Sequence, residues 1–477
     1  MPMRETADLR YRWLLWALVA ASLGVFFWGL GAVPLLSFNE GRRAVPVREM
    51  LSGDWLGPTL NGKLYLTKPP LFYWCALVIA KITGSTAEWV VRLPSAIAGF
   101  ATAWMSFAMV RRVGGRWPAL FTALVLVTNA NFTSFGRRAE IEMVLTCVCA
   151  GSLFAAFHFV HGDGNRRWLY ISYLLAGLAV LTKGPVALLF VGVPILVLAV
   201  ARGNPRARAY LLDVRGWAVL LVVGSSWFLL IVAKLGITAF TSVVAVDIVG
   251  KVSRSRFDPI YDYPMWLLSD ALPWSLVLLA TPRKTIRGWL ASTEQRYFFV
   301  AVVVPLILFS LFADKHAKYL LPAYPAFAIL LGSRVAEVYG DLSDARKGLV
   351  RAIGAALPVL FIVYYAVLEP RIFSYRFESL PKIAAFLQQH REHPIYAYQD
   401  IDERTLYSYG GAIPVLDGQQ VADKVNAGET FLLLVDSDVV EQLASLPLCK
   451  TAEFAPYFKK GRSAVILGEG EVCEEPR

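Results

Sequence analysis

Charged residues are scarce in this chain. Asp, Glu, Lys and Arg together make up 17% of its 477 residues, whereas apolar residues make up 56%. Soluble domains carry charge on about a quarter of their residues, so the composition excludes an ordinary soluble protein. The apolar residues are gathered into long runs, and residues 14–36 contain no charge at all. Because about 20 apolar residues cross the hydrocarbon core as a helix, the sequence predicts a polytopic membrane protein.

Histidine and cysteine are also rare, with five residues of each. The histidines are scattered, and no Cys and His spacing has the form of a zinc site. We therefore expect no dedicated metal site and no required cofactor, while a divalent cation held by carboxylates stays open. Cys75, Cys147 and Cys149 lie in apolar runs and are expected to pack inertly. Cys449 and Cys473 lie in a polar tail, where a disulfide and two free thiols are both open.

The net charge of +11 does not indicate a nucleic-acid partner, because the basic residues fall in short loops between apolar runs. With the N-terminus in the cytoplasm, every inside loop is basic, as the positive-inside rule requires. The apolar stretch 69–83 is short and is predicted to lie at the interface or to re-enter; counting it as a span would move the basic loops 111–116 and 202–215 outside. The eleven predicted spans are 13–36, 90–110, 117–135, 142–161, 168–182, 185–201, 216–234, 264–281, 298–313, 319–338 and 349–368.

Two parts are predicted along the chain. Residues 1–369 form a mainly α-helical membrane bundle, and residues 370–477 form a polar tail on the outer side. The tail begins with a helix-like segment and continues with short β-like runs, which predicts a small α/β domain.

The outer loops carry charges of both signs close to the membrane. Ionisable groups near bilayer depth are costly and usually mark a functional cavity. Carboxylates suit acid–base work, and clustered Lys and Arg suit a phosphate, so the set indicates group transfer from a lipid phosphate. Any one of these charges, taken alone, is more typical of a solvated loop. They are Glu40, Arg42, Arg43, Arg48, Glu49, Lys68, Arg137, Arg138, Glu140, Glu142, Lys183, Asp247, Lys251, Arg254, Arg256, Lys315 and Lys318.

A series of short motifs runs through the same loops. They read NEGRRA (39–44), REMLSGDW (48–55), LNG (60–62), KPPL (68–71), RLPS (92–95), LTKGP (181–185), LPWS (272–275) and KHAKYLLP (315–322). In order and spacing, the sequence resembles the bacterial aminoarabinose transferases that modify lipid A. These belong with the protein O-mannosyltransferases in the GT-C class of glycosyltransferases.

The resemblance implies a GT-C bundle of about eleven spans with juxtamembrane helices in the first outer loop. It implies an inverting glycosyltransferase that takes its sugar from a polyprenyl-phosphate carrier and passes it to a lipid or glycan acceptor, lipid A included. The expected setting is the bacterial inner membrane, with the C-terminal domain in the periplasm and the protein a monomer.

The resemblance also implies residue roles by motif position. Catalytic roles fall to Glu40, Glu142 and Asn39. Donor-phosphate contacts fall to Arg42, Lys68, Lys183, Lys251 and Lys315, and substrate contacts to Arg43, Tyr65, Arg138, Glu140, Asp247 and Tyr319.

One departure bears on the chemistry. The acidic pair of the family, Asp-Glu, reads Asn39-Glu40 here. Either Glu40 takes over as the base, or the acceptor is already anionic and needs none.

Two alternatives stay open. The same core could act on a protein or polysaccharide acceptor. A transporter or flippase of lipid-linked sugars would need the basic pocket but no carboxylate at the anomeric carbon; transporters often show internal repeats, and none is seen in the sequence.

Overall fold

The computed structural model describes residues 2–201, 203–238, 240–241, 258–372, 379–455 and 463–473. Two predicted site residues, Asp247 and Lys251, lie outside these ranges. The α-helices are α1 (Pro2–Phe27), α2 (Phe38–Ser52), α3 (Leu71–Thr83), α4 (Glu88–Val113), α5 (Arg116–Val127), α6 (Ala130–Gly136), α7 (Ile141–His161), α8 (Arg166–Lys183), α9 (Leu188–Ala201), α10 (Pro205–Leu211), α11 (Val214–Leu235), α12 (Asp262–Ser269), α13 (Leu276–Leu279), α14 (Arg283–Ala291), α15 (Thr293–Ser310), α16 (Tyr324–Asp341), α17 (Asp344–Val363), α18 (Ser379–Gln389), α19 (Glu403–Tyr409) and α20 (Gly418–Asn426).

The described residues contain seven helices long and apolar enough to cross a membrane. The count becomes eight if α5 and α6, which meet at a bend of 66°, form one broken span. These candidates coincide with eight of the eleven predicted spans. The apolar helix α3 has 13 residues, and this short length agrees with the prediction that the stretch 69–83 does not cross.

The three other predicted spans differ for local reasons. Helix α8 has 18 residues but carries charges at both ends. The apolar helix at Pro185–Val200 is shorter than a full span. The segment 264–281 is divided into α12 and α13 around Pro273, whose ring removes a backbone N–H.

Close helix packing in the bundle uses small residues. A Cβ at Gly332 of α16 would lie 2.5 Å from the backbone nitrogen of Thr122 in α5. Only a residue without a side chain lets the two backbones approach this closely.

The C-terminal part contains a five-stranded sheet, where the sequence predicted a small α/β domain. Its strands are β3 (Ile395–Tyr398), β4 (Val415–Leu416), β5 (Phe431–Asp436), β6 (Cys449–Phe454) and β7 (Ala464–Glu469), while β1 (Thr59–Leu60) and β2 (Lys63–Leu64) form a separate hairpin in the first loop. The sheet order is β4-β3-β5-β7-β6. Strand β3 is parallel to β4 and β5, and β7 is antiparallel to β5 and β6.

Cys449 and Cys473 form a disulfide. The bond joins strand β6 to the 3₁₀ turn at Gly470–Cys473 that follows β7. Of the two states that the sequence left open for these cysteines, the structure has the disulfide.

Helix α2 is shared between the two parts. Its residues Ala44, Val47 and Met50 are buried in the core of the helix bundle. Val45 is buried instead with Leu406 in a core of the C-terminal sheet. The helix that carries the first-loop motif is therefore held from both sides.

Candidate active site

The carboxylate of Glu40 is fully buried at the start of α2. Its Oε1 accepts a hydrogen bond from Arg92 Nε at 2.9 Å, and its Oε2 accepts one from Arg92 Nη2 at 3.2 Å. The backbone N–H groups of Leu36 and Ala139 donate to the same carboxylate at 2.6 and 2.8 Å. Burial by itself raises the pKa of Glu40, but the charge of Arg92 and these hydrogen bonds outweigh it, so the pKa lies below its usual value.

Arg92 of α4 is equally buried, and its remaining N–H groups donate to three backbone carbonyls. Its Nη1 donates to Leu30 O and Val33 O, and its Nη2 donates to Pro34 O, at 2.8–2.9 Å. The Glu40 side chain thus has its oxygens filled by protein groups and does not lie open to a substrate. Its hydrogen bond with the Ala139 N–H instead holds the loop before α7. Glu40 therefore links this loop to the first loop.

The loop before α7 places two further carboxylates at the start of that helix. Ser95 Oγ donates to the carbonyl of Glu140 at 3.0 Å, so this loop is held by both α2 and α4. Glu140 precedes α7, and Glu142 lies in its first turn. An acidic group at this end of a helix is stabilised by the helix dipole.

These two carboxylates form a buried cluster with two lysines. Lys183 Nζ lies 3.2 Å from Glu142 Oε1. Lys318 Nζ lies 2.8 Å from Glu140 Oε2 and 3.7 Å from Glu142 Oε1. The four side chains are between 5% and 17% exposed. The Lys183 ammonium also lies 4.6 Å from the centre of the Tyr319 ring.

Local sequence explains how the lysines reach this cluster. Lys183 is the last residue of α8, where Gly184 at φ +83° ends the helix; glycine takes this conformation without the cost of a Cβ. Lys318 lies in the 3₁₀ helix at Ala317–Ala323 that leads into α16. The LTKGP motif and the 3₁₀ helix before α16 therefore bring their lysines together at the start of α7.

Arg43 adds a third cation from the first loop. Its Nη1 donates to Tyr73 Oη at 2.9 Å and lies 3.5 Å from Tyr65 Oη. Its charge acts on the carboxylate of Glu142. Its Nε is buried and, within the residues that the structure describes, has no hydrogen-bond partner. Two carboxylates thus face three cations, and this surplus of positive charge suits an anionic ligand.

Arg42 and Lys68 lie in the same loop but outside the carboxylate–lysine cluster. Arg42 Nε donates to Glu403 Oε1 of α19 at 2.6 Å. Lys68 is half-buried, and its Nζ donates to Thr67 O at 3.0 Å.

Lys315 is buried three residues before Lys318. Its side chain is 5% exposed, and its Nζ donates to Asp258 O at 2.8 Å and to Phe312 O at 2.7 Å. These carbonyls give Lys315 a structural setting, and the phosphate contact that its motif implied stays a prediction. Lys318, three residues later, holds the carboxylates. The sequence signal for Lys318 was its place in a charged outer turn.

Asn39 and Arg138 are two further predicted site residues. Asn39 is half-buried on α2, one residue before Glu40. The guanidinium of Arg138 lies 5.6 Å from the centre of the Phe135 ring. Within the described ranges, no group of three or more His, Cys, Asp and Glu side chains is arranged to hold a metal ion.

Parts of this chain are similar to known proteins. Residues 67–229 match the family described as dolichyl-phosphate-mannose-protein mannosyltransferase. The chain is 28% identical over 327 residues to the undecaprenyl phosphate-alpha-4-amino-4-deoxy-L-arabinose arabinosyl transferase of Shewanella sediminis, covering 67% of this chain and 59% of that protein. An uncharacterised protein of Aquifex aeolicus is 27% identical over 382 residues, covering 76% of this chain and 74% of its own length.

The structure superimposes on the crystal structure of ArnT from Cupriavidus metallidurans bound to undecaprenyl phosphate, with a TM-score of 0.82 at 20% identity. The match covers 98% of this chain and 99% of that one. The chain shares the GT-C fold of that protein. The GT-C fold predicted from the sequence is therefore confirmed, and the cluster lies at the end of this GT-C bundle where α7 begins and α8 ends.

Proposed function

We propose that this protein transfers a sugar from a polyprenyl-phosphate carrier to a lipid or glycan acceptor, with lipid A-like molecules as the leading acceptor class. One observation carries the proposal: the buried cluster of Glu140, Glu142, Lys183 and Lys318, with Arg43 beside it. It lies within a fold shared with a carrier-bound ArnT. Since the named arabinosyl transferase of Shewanella is covered over 59% of its length, donor and acceptor remain part of the proposal.

The proposed reaction displaces the carrier phosphate from the anomeric carbon. The acceptor oxygen forms the new C–O bond on the face opposite the leaving phosphate, which inverts the anomeric centre. The electron pair of the broken bond stays on the carrier phosphate. Lys183, Arg42 and Lys68 supply positive charge to stabilise this leaving group, and no divalent cation is required in the proposal.

Glu142 is proposed as the carboxylate that orients the acceptor and takes its proton when the acceptor is a hydroxyl. It is the carboxylate in contact with both lysines. Glu40 is proposed to position Glu142 indirectly, through its hydrogen bond to the Ala139 N–H. Asn39 then makes no proton transfer.

We propose that the site faces outward from the bacterial inner membrane, with the N-terminus in the cytoplasm. The Arg92 end of α4 lies at the site, whereas Arg111 and Arg112 lie in its last turn, about 30 Å away at 1.5 Å per residue. Basic helix ends favour the cytoplasmic side. The Cys449–Cys473 disulfide favours an oxidising compartment for the C-terminal part.

The test is transfer of labelled sugar by purified protein in vesicles containing undecaprenyl-phosphate-linked sugars and a lipid A acceptor. Wild type is compared with Glu142→Gln and with Glu337→Gln, a matched change in the surface pair with Arg334. We expect product from wild type and Glu337→Gln and a loss of at least 100-fold in Glu142→Gln, within the range for acid–base groups. Movement of the carrier across the bilayer without any product would favour a flippase instead.

A further inference from the structure

The C-terminal part supplies one side chain directly to the first-loop motif. Glu403, at the start of α19, accepts a hydrogen bond from Arg42 Nε at 2.6 Å, and the two side chains are 13% and 42% exposed. This carboxylate lies more than 350 residues away along the chain, and no sequence motif pointed to it.

The contact with Glu403 leaves the Nη1 and Nη2 groups of Arg42 available for a ligand. Within the residues described, Arg42 Nη1 and Nη2 have no hydrogen-bond partner, while Nε is bound to Glu403. The Phe38 ring lies 4.9 Å from the Arg42 guanidinium carbon and restricts the guanidinium plane from one face. A guanidinium held in this way presents two parallel N–H donors, which is the geometry for bidentate contact with a phosphate.

Glu403 is itself held in place. A Cβ on Gly41 would lie 2.7 Å from the Glu403 Cβ and 2.8 Å from its carbonyl carbon, so α19 rests directly on α2. Arg48 Nη1 donates to Leu406 O at 3.2 Å and to Tyr407 O at 2.9 Å. These contacts fix α19 against α2 along more than one helical turn.

We propose that Glu403 is a positioning residue for the donor site, which orients Arg42 so that its two free N–H groups bind the carrier phosphate. The proposal rests on the proposed function, since it takes Arg42 as a phosphate contact. A fixed guanidinium loses less side-chain freedom when the phosphate binds. The carboxylate also repels the phosphate, so the sign of its net effect on affinity decides between orientation and competition.

The experiment measures binding of undecaprenyl phosphate to the full-length protein in detergent, for wild type, Glu403→Gln and Glu403→Ala. Orientation predicts weaker binding, about 10-fold for Glu403→Ala, with Glu403→Gln in between because its oxygen still accepts from Nε. In the transfer assay, KM for the donor rises while kcat stays within about twofold. Glu429→Ala, which removes another C-terminal carboxylate paired with a lysine at 2.6 Å, leaves binding unchanged, and thermal unfolding of each variant reports whether it is folded.

A double variant separates this role from a general effect on the fold. In an Arg42→Ala background, Glu403→Ala should cause no further loss of binding. Binding that is unchanged or tighter in Glu403→Ala, while Arg42→Ala binds weakly, overturns the role of Glu403 and leaves the proposed function intact. Wild-type binding by Arg42→Ala overturns the donor assignment of Arg42 and this inference with it, whereas the Glu142→Gln assay still tests transfer.

Discussion

Glu40 and Arg92 form an ion pair in which neither side chain reaches solvent, with 0% and 1% of their side-chain surface exposed. The pair joins the first outer loop to α4, and the same carboxylate accepts from Ala139 in the second outer loop. The carboxylate for which the resemblance implies a catalytic role thus holds two loops together in this structure.

Glu40→Gln is expected to lower the stability of the protein more strongly than it lowers the rate of sugar transfer by folded protein. Removing one partner of a buried pair leaves the other charge uncompensated and costs about 3–5 kcal/mol. Thermal unfolding in detergent should show a clear fall in Tm. The double variant Glu40→Gln with Arg92→Gln should lose less than the two single changes combined, because the sites are coupled. Additive losses would contradict the coupling, and the folded fraction of Glu40→Gln should retain more transfer than Glu142→Gln.

Lys318→Met and Lys315→Met are expected to fail in different ways, although they lie three residues apart. Lys318 contacts both carboxylates, so its loss should lower transfer about 100-fold with a smaller change in Tm. Lys315 donates to two backbone carbonyls, so its loss should lower Tm and leave the activity of folded protein largely intact. Transfer assays and unfolding curves on the same samples make the comparison; the reverse pattern would restore Lys315 as the functional cation.

The stability of the second outer loop should depend on pH through Glu140. Burial and the nearby charge of Glu142 raise the pKa of Glu140 above its ordinary value of 4.5, and Lys318 offsets them only in part. The folded state then holds this proton more tightly than the unfolded state does, so stability is lost as pH rises from 4.5 through the folded pKa. Glu140→Gln should remove this loss. Measuring Tm against pH for both proteins should show the variant gaining on wild type as pH rises; a constant difference would contradict the prediction.

The disulfide between Cys449 and Cys473, separated by 24 residues, should stabilise the C-terminal part. For a loop of this length, the chain-entropy estimate is about 3.5 kcal/mol. Cys449→Ser with Cys473→Ser, or reduction of wild type, should lower the unfolding temperature of this part. Cys75→Ser serves as the control, because Cys75 is a free thiol. Equal unfolding with and without reductant would show that the bond contributes little.

The sequence indicated most of the charged residues of the candidate site but not how they pair in space. Glu140, Glu142 and Lys183 were predicted as site residues, because charged residues next to apolar runs are rare and costly. Their pairing could not be read from the chain, since Lys183 and Lys318 meet only when α8 and the 3₁₀ helix at Ala317–Ala323 both pack against α7. The same reason applies to Lys315 and Lys318: motif position does not say which of the two lysines turns toward the carboxylates.

The amino-acid sequence by itself determined the membrane setting, the helical bundle and the C-terminal α/β part, because apolar run length, charge placement and residue periodicity are local properties of the chain. Only the tertiary structure decided that Glu40 is buried and links two loops, and that Glu142 is paired with lysines. It also decided that α19 packs on α2. Those features depend on which groups are removed from water in the same place. A charge is tolerated there only where a partner from another segment comes within hydrogen-bond distance.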